Sequence, residues 1–161
     1  MHEPGGGIGK AAMIVENNFQ RVGAPSNAQV GREFEEAARL YFESTGIALT
    51  RAFVQPVGYK IKKPHKFDLG SDNPPILVEC KSLTWTSGGN SPSAKIRSLN
   101  EVMLLFSVSP PHYRRILFLL KHLKGELSLG KHYIKSEGHL IGPGIEIWEF
   151  DLVAKVAERI F

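Results

Sequence analysis

One cysteine, Cys80, is all that the 161 residues contain. No disulfide can close within the chain, and a cysteine-based zinc site is out of reach, so Cys80 is expected simply to pack, in a reducing compartment. The six histidines include no pair at metal-ligand spacing, which disfavours a zinc enzyme. No run approaches the ~20 apolar residues of a membrane span. The start, Met1-His2-Glu3-Pro4-Gly5-Gly6-Gly7, has neither the basic nor the apolar region of a signal peptide. These absences predict a soluble, cytoplasmic protein with no membrane partner. Internal repeats and a helix-turn-helix reading module are also missing.

With 42% hydrophobic residues, the chain can build one core and is too short for two independent ones. Residues 1–25 are rich in glycine and poor in pattern, and read as a loosely held arm. Within them Gly5-Gly6-Gly7-Ile8-Gly9-Lys10 suggests a phosphate loop, but Pro4 and Ala11 stand where that loop needs glycine and a hydroxyl residue. Residues 26–161 then form the single domain.

Ser26 and Gln29 can make a capping box, and Val30, Phe34, Ala37, Ala38, Tyr41 and Phe42 recur at helical spacing up to Gly46. Leu49 to Lys62 reads as one or two strands with a bend, and Lys66 to Leu69 as a short strand. After the turn signal Asp72-Asn73-Pro74-Pro75, Ile76 to Lys81 reads as its antiparallel neighbour. Ser91 is placed to cap and Pro92 to open a helix carrying Ile96, Leu99, Met103 and Phe106. Pro110-Pro111 stops it. Ile116 to Leu120 has the continuous apolar character of a strand buried on both faces, so strand, helix and strand imply a parallel crossover. Ser128 to Ile141 suggests another helix, and Ile145 to Phe150 alternates like a half-buried strand. The class is α/β.

The chemistry concentrates in the Ile76–Lys81 strand. Alternation puts Glu79 and Lys81 on one face and Val78 and Cys80 on the other. A carboxylate and an ammonium at the end of an apolar strand are costly to desolvate unless paired or given a metal. If the Lys66–Leu69 strand pairs through the proline turn, Asp68 lies beside Glu79. Two converging carboxylates favour a hard dication, and Mg²⁺ takes one or two carboxylates plus waters and phosphate oxygens. Lys81 is then placed to position or help deprotonate a water for attack on phosphorus. The plainer alternative is an ion pair at a strand end beside a turn aspartate.

Asp68 in His65-Lys66-Phe67-Asp68-Leu69-Gly70, followed 11 positions later by Glu79 in Val78-Glu79-Cys80-Lys81, resembles the signature of the PD-(D/E)xK phosphodiesterases, the restriction-endonuclease-like nucleases. Phe67 stands where that signature usually has proline. The upstream helix is similar too, with Glu35 directly after Phe34. The resemblance spans about residues 30 to 121. It implies a restriction-endonuclease-like three-layer core, a central mixed sheet flanked by helices on both sides. It also implies Asp68 and Glu79 as metal ligands, joined by the Cys80 backbone carbonyl, and Lys81 as catalytic lysine. Glu35 is a further candidate ligand, or a solvated charge on the helix rim.

Around this cluster several residues are candidates for nucleic-acid contact. Ser82, Trp85 and Asn90 lie on the loop leaving the catalytic strand, where Trp85 can stack on a base or pack in the core. Lys95, in the first turn of its helix, can meet the scissile phosphate or snorkel to solvent. His65 can contact substrate or a metal-bound water, and Arg114 can face the phosphate backbone or mark a solvated strand end. The formal charge of +4 and sequence pI near 9.2 suit a polyanionic partner without requiring one.

The expectation is therefore a Mg²⁺-dependent DNA endonuclease of restriction, defence or recombination type, with Mn²⁺ able to substitute. One site per small domain favours a homodimer if both strands are cut. A Holliday-junction-type resolvase shares the chemistry, and a non-catalytic nucleic-acid-binding protein shares the fold.

Overall fold

The computed structural model describes residues 24–161, so nearly all of the arm expected over residues 1–25 lies outside the described residues. The first element is helix α1 (Asn27–Ser44). The Ser26 hydroxyl accepts the Gln29 N–H at 3.1 Å, but the Gln29 side chain donates forward to Glu33. Only half of the expected capping box is therefore made. The helix ends before Gly46, whose φ of +87° suits glycine.

Strands β1 (Thr50–Val57), β2 (Lys63–Asp72) and β3 (Pro75–Lys81) follow as an antiparallel meander. Helix α2 (Ser93–Ser107) leads to β4 (Arg114–Leu120), which lies parallel to β3 as the expected crossover requires. A small hairpin, β5 (Leu123–Lys124) and β6 (Leu127–Ser128), opens into α3 (Leu129–Glu137) and a 3₁₀ turn to Leu140. Strand β7 (Ile145–Asp151) then pairs parallel to β4, and β8 (Val156–Arg159) closes the edge antiparallel to β7. Over the described residues the result is an α/β fold with three α-helices and a mixed six-stranded sheet, ordered β1-β2-β3-β4-β7-β8.

Two cores lie on opposite faces of this sheet. On one, Phe34, Ala38 and Phe42 of α1 pack against Leu69, Val78, Cys80, Ile116, Phe118 and Phe150. The Phe118 ring stands within 5.2–6.1 Å of Phe34, Tyr41, Phe42 and Phe150, giving an aromatic cluster at the sheet centre. On the other, Ile96, Leu99, Met103 and Phe106 of α2 and Tyr133 of α3 cover Phe67, Leu77, Leu117 and Ile147. No described helix is long and apolar enough to cross a membrane.

Three expectations need correction. Pro92, rather than Ser91, is the cap of α2, and no side chain caps the N–H groups of that helix's first turn. Strand β7 is not half-buried: it runs between β4 and β8 with cores on both faces, so Glu146 and Glu149 are buried along with Ile145, Ile147 and Phe150. And β2 is not the short strand expected over Lys66–Leu69 but ten residues long, beginning at Lys63, whereas the segment before it is one strand with a turn at Gly58 (φ +130°), as one of the two readings has it.

Candidate active site

The β2–β3 ladder is regular from Asp72↔Pro75 to Leu69↔Val78 and stops there. In a flat strand Phe67 and Leu69 would share a face, yet Phe67 joins the core under α2 and Leu69 the core under α1. Strand β2 thus turns over at Asp68. Across from it on β1, Ala52 has φ +52°, a left-handed conformation that costs a non-glycine residue on the order of 1 kcal/mol. The two strands twist together at one level, and β2 leaves β3.

That departure orphans the Cys80 N–H, and the Asp68 side chain satisfies it: Oδ2 accepts at 2.7 Å. Asp68 is thereby held in the opening between β2 and β3, next to Glu79. Asp68 and Glu79 do converge, through a break in the ladder rather than through regular pairing.

Glu79 projects with Leu77 towards α2 and is only 5% exposed. Its Oε1 lies 2.9 Å from His65 Nε2, and the Asp68 carboxyl lies close beside it. Burial and then the Asp68 carboxylate push the Glu79 carboxyl up to about 9, against the pull of Lys81. Glu35 is also raised, first by burial and then by Asp68, while its hydrogen bond from Arg51 at 3.3 Å works the other way. Its neighbour Glu36 turns outward to Arg39. Burial pushes the Cys80 thiol far up, so it stays protonated and inert, as expected of a packing residue.

An open cleft of about 440 Å³ lies at this end of the sheet, between the first turns of α1 and α2. Asp68, Cys80, Lys81, Ser82, Glu35 and Lys95 all line it, together with Asn27, Gly31 and Ser98. Lys81 and Lys95 therefore face the same space from a strand end and a helix start. The α2 amides there have no side-chain cap, which suits an approaching anion.

Glu79 and His65 sit behind Asp68 and do not line the cleft, and the remaining candidates lie elsewhere. Trp85 is a core residue: it is 9% exposed, its indole N–H donates to the His122 carbonyl at 3.1 Å, and its ring is flanked by His132 and the Lys124 ammonium. No base can reach its faces without unpacking them. Arg114 pairs with Ile76 in the β3–β4 register, whereas Lys81 pairs with Leu119, so about 16 Å of strand separates it from the cleft end. Its guanidinium binds Glu146 at 2.6 and 2.8 Å, which accounts for it without a phosphate. Asn90 closes the loop after β3 through three hydrogen bonds with Thr86 and does not line the cleft. Arg51, Asn27 and Ser98 were not anticipated. Arg51 reaches Glu35 from 16 residues away, and no local spacing signals such a pair.

Among the described residues, no three His, Cys, Asp or Glu side chains stand together as a ready-made metal cage. Each acid already has a protein partner: Asp68 the Cys80 N–H, Glu79 His65, and Glu35 Arg51. The donor set still fits Mg²⁺, which keeps several waters and is held by one or two carboxylates. The second Asp68 oxygen, one Glu79 oxygen and the Cys80 carbonyl are all oxygen donors. Comparison with family models, with curated proteins and with solved structures returns no match.

Proposed function

We propose that this chain is a Mg²⁺-dependent endonuclease that hydrolyses DNA phosphodiester bonds, built on the restriction-endonuclease-like core of the PD-(D/E)xK enzymes. One observation carries the reading. Asp68 bonds the Cys80 backbone at 2.7 Å beside the buried Glu79, while Lys81 opens on the cleft that Asp68 lines. An ordinary surface ion pair does not explain why β2 breaks its ladder to bring a second acid against a buried first one.

In this reading Asp68, Glu79 and the Cys80 carbonyl hold the ion, with Glu35 as a further ligand if Arg51 releases it. When bound, the ion stabilises charge on the phosphate oxygens and lowers the pKa of a bound water. Lys81, as an ammonium, orients the attacking water and stabilises the hydroxide it becomes, and the water's proton passes to solvent. Lys95 and the uncapped α2 amides bind the scissile phosphate, and Ser82 contacts the adjoining backbone. His65 holds the Glu79 carboxyl in place. One site per chain makes a homodimer the natural assembly for cutting two strands.

A second reading, nucleic-acid binding without cleavage, draws on the fact that each acid is engaged by a protein partner. Cleavage assays on plasmid, linear duplex, single-stranded and four-way-junction DNA, with Mg²⁺ and with EDTA, decide between them. The nuclease reading expects Mg²⁺-dependent products from the wild type and none from Asp68→Asn. Preference for the junction would mark a resolvase. Absence of products on every substrate rejects cleavage, and full activity in Asp68→Asn rejects this cluster as its source.

A further inference from the structure

The basic charge of this chain is not evenly spread. From Ser44 to Phe67 the sequence holds Arg51, Lys60, Lys62, Lys63 and Lys66 and no acidic residue. That segment carries +5, so the remainder of the +4 chain carries −1 (4 − 5). The structure makes most of it into the β1–β2 hairpin at the sheet edge.

The hairpin tip, Tyr59 to Pro64, is exposed throughout, with Tyr59 75% and Ile61 79% accessible. Lys62 is used locally, donating to the Gly58 carbonyl at 2.5 Å. Among the described residues, Lys60, Lys63 and Lys66 form no ion pair. The hairpin is nonetheless braced. Phe53, Val57 and Phe67 join the core under α2, and the Gly58 N–H donates to the Val108 carbonyl at 3.0 Å. A braced arm with unpaired lysines and two bare apolar side chains at its tip has binding groups that the fold itself does not use.

Its root is the candidate site. Lys66 is two residues from Asp68, His65 touches Glu79, and at most about 16 Å of strand separates Lys63 from Asp68. We propose that the β1–β2 hairpin is the arm by which the chain grips nucleic acid beside the cleft. Lys60, Lys63 and Lys66 neutralise backbone phosphates, and Tyr59 and Ile61 lie against sugars and bases. This rests on reading the cleft as a phosphodiester-cleaving site. Charge complementarity and continuity with that cleft favour DNA over an anionic membrane, the other polyanion that such a tip could meet.

The test is binding of the full chain to a short DNA duplex by fluorescence anisotropy, in EDTA to prevent cleavage, between ~50 and ~200 mM salt. The variant Lys60→Gln/Lys63→Gln/Lys66→Gln leaves Lys62 and the turn intact. Each lost phosphate contact flattens the plot of log affinity against log salt by about 0.9, so roughly 2.7 for three. Tyr59→Ser/Ile61→Ser is expected to weaken binding at every salt concentration and leave the slope unchanged. An equal-charge control, Lys131→Gln/Lys135→Gln/Lys155→Gln, should keep the wild-type slope, and all variants should melt with the wild type. Three results overturn the arm: a hairpin triple variant no flatter than the control, a wild type that binds no DNA, or one that binds phosphatidylserine vesicles in place of DNA. Hairpin-dependent binding without Mg²⁺-dependent cleavage keeps the arm and rejects the nuclease. Cleavage with an unchanged slope does the reverse.

Discussion

Replacing Glu79 by glutamine should abolish cleavage and yet make the metal-free fold less sensitive to pH. The side chain is 5% exposed and its carboxyl is pushed up to about 9 by burial and by Asp68, against an ordinary value near 4.5. Between those two values the unfolded carboxyl is ionised and the folded one protonated, so folding takes up a proton. The stabilisation is complete below the unfolded value and drains away as pH rises through the folded one. The slope for one full proton is about 1.36 kcal/mol per pH unit, so Glu79 accounts for at most about 2.7 kcal/mol of lost stability between about pH 5.5 and 7.5. Glutamine keeps the shape, can face both His65 and Asp68, and has no proton to take up. Urea unfolding of both proteins in EDTA at the two pH values gives the comparison, because contributions from the other titrating groups largely cancel in the difference. The wild type should lose up to about 2.7 kcal/mol more than Glu79→Gln. Equal slopes, or a steeper slope in the variant, would refute the account of a buried, proton-holding Glu79.

Arg114→Ala should cost about 1–3 kcal/mol by chemical denaturation, because it leaves the buried Glu146 carboxylate without its main partner. DNA affinity should not change; a loss of affinity with stability intact would return Arg114 to the interface. The same pair holds the Glu146 carboxyl below its ordinary value, so this stabilisation is present at neutral pH and fades as pH falls through the folded value. Gly130→Ala should destabilise, since a Cβ there would sit 2.5 Å from Glu149 Oε1, which accepts the Gly130 N–H. A cost of about 1–3 kcal/mol is expected, and a neutral result would mean that Glu149 is free to move aside.

Much of the strand and helix pattern was legible because it rests on periodicity. The α1 stripe, the Ile96–Phe106 stripe of α2 and the apolar run of β4 each report burial directly. Strand β8 was not legible: Val156-Ala157-Glu158-Arg159 is mostly exposed and has only four residues, so it exists because β7 offers an unpaired edge. The β5–β6 hairpin is shorter still. Side-chain alternation put Glu79 and Lys81 on one face, and the proline turn put Asp68 within range. The break at Asp68 and Ala52 was beyond sequence reading, because Ala carries no preference for a left-handed backbone. In sequence Trp85 suits both base stacking and the core, and its partners on α3 and the β5–β6 hairpin, far along the chain, decide for the core. The acid-free run from Ser44 to Phe67 is plain in the sequence, but that most of it folds into one exposed hairpin is not.

The central claim is that Asp68 and Glu79 share one divalent ion at the C-terminal end of β3. A crystal of the full chain soaked in Mn²⁺ tests it most directly, through the anomalous signal of the metal. One peak bounded by the Asp68 and Glu79 carboxylates and the Cys80 carbonyl, lost in Asp68→Asn, is the expected result. Density with no metal at the cluster, and the Glu79–His65 contact still at 2.9 Å, would contradict it.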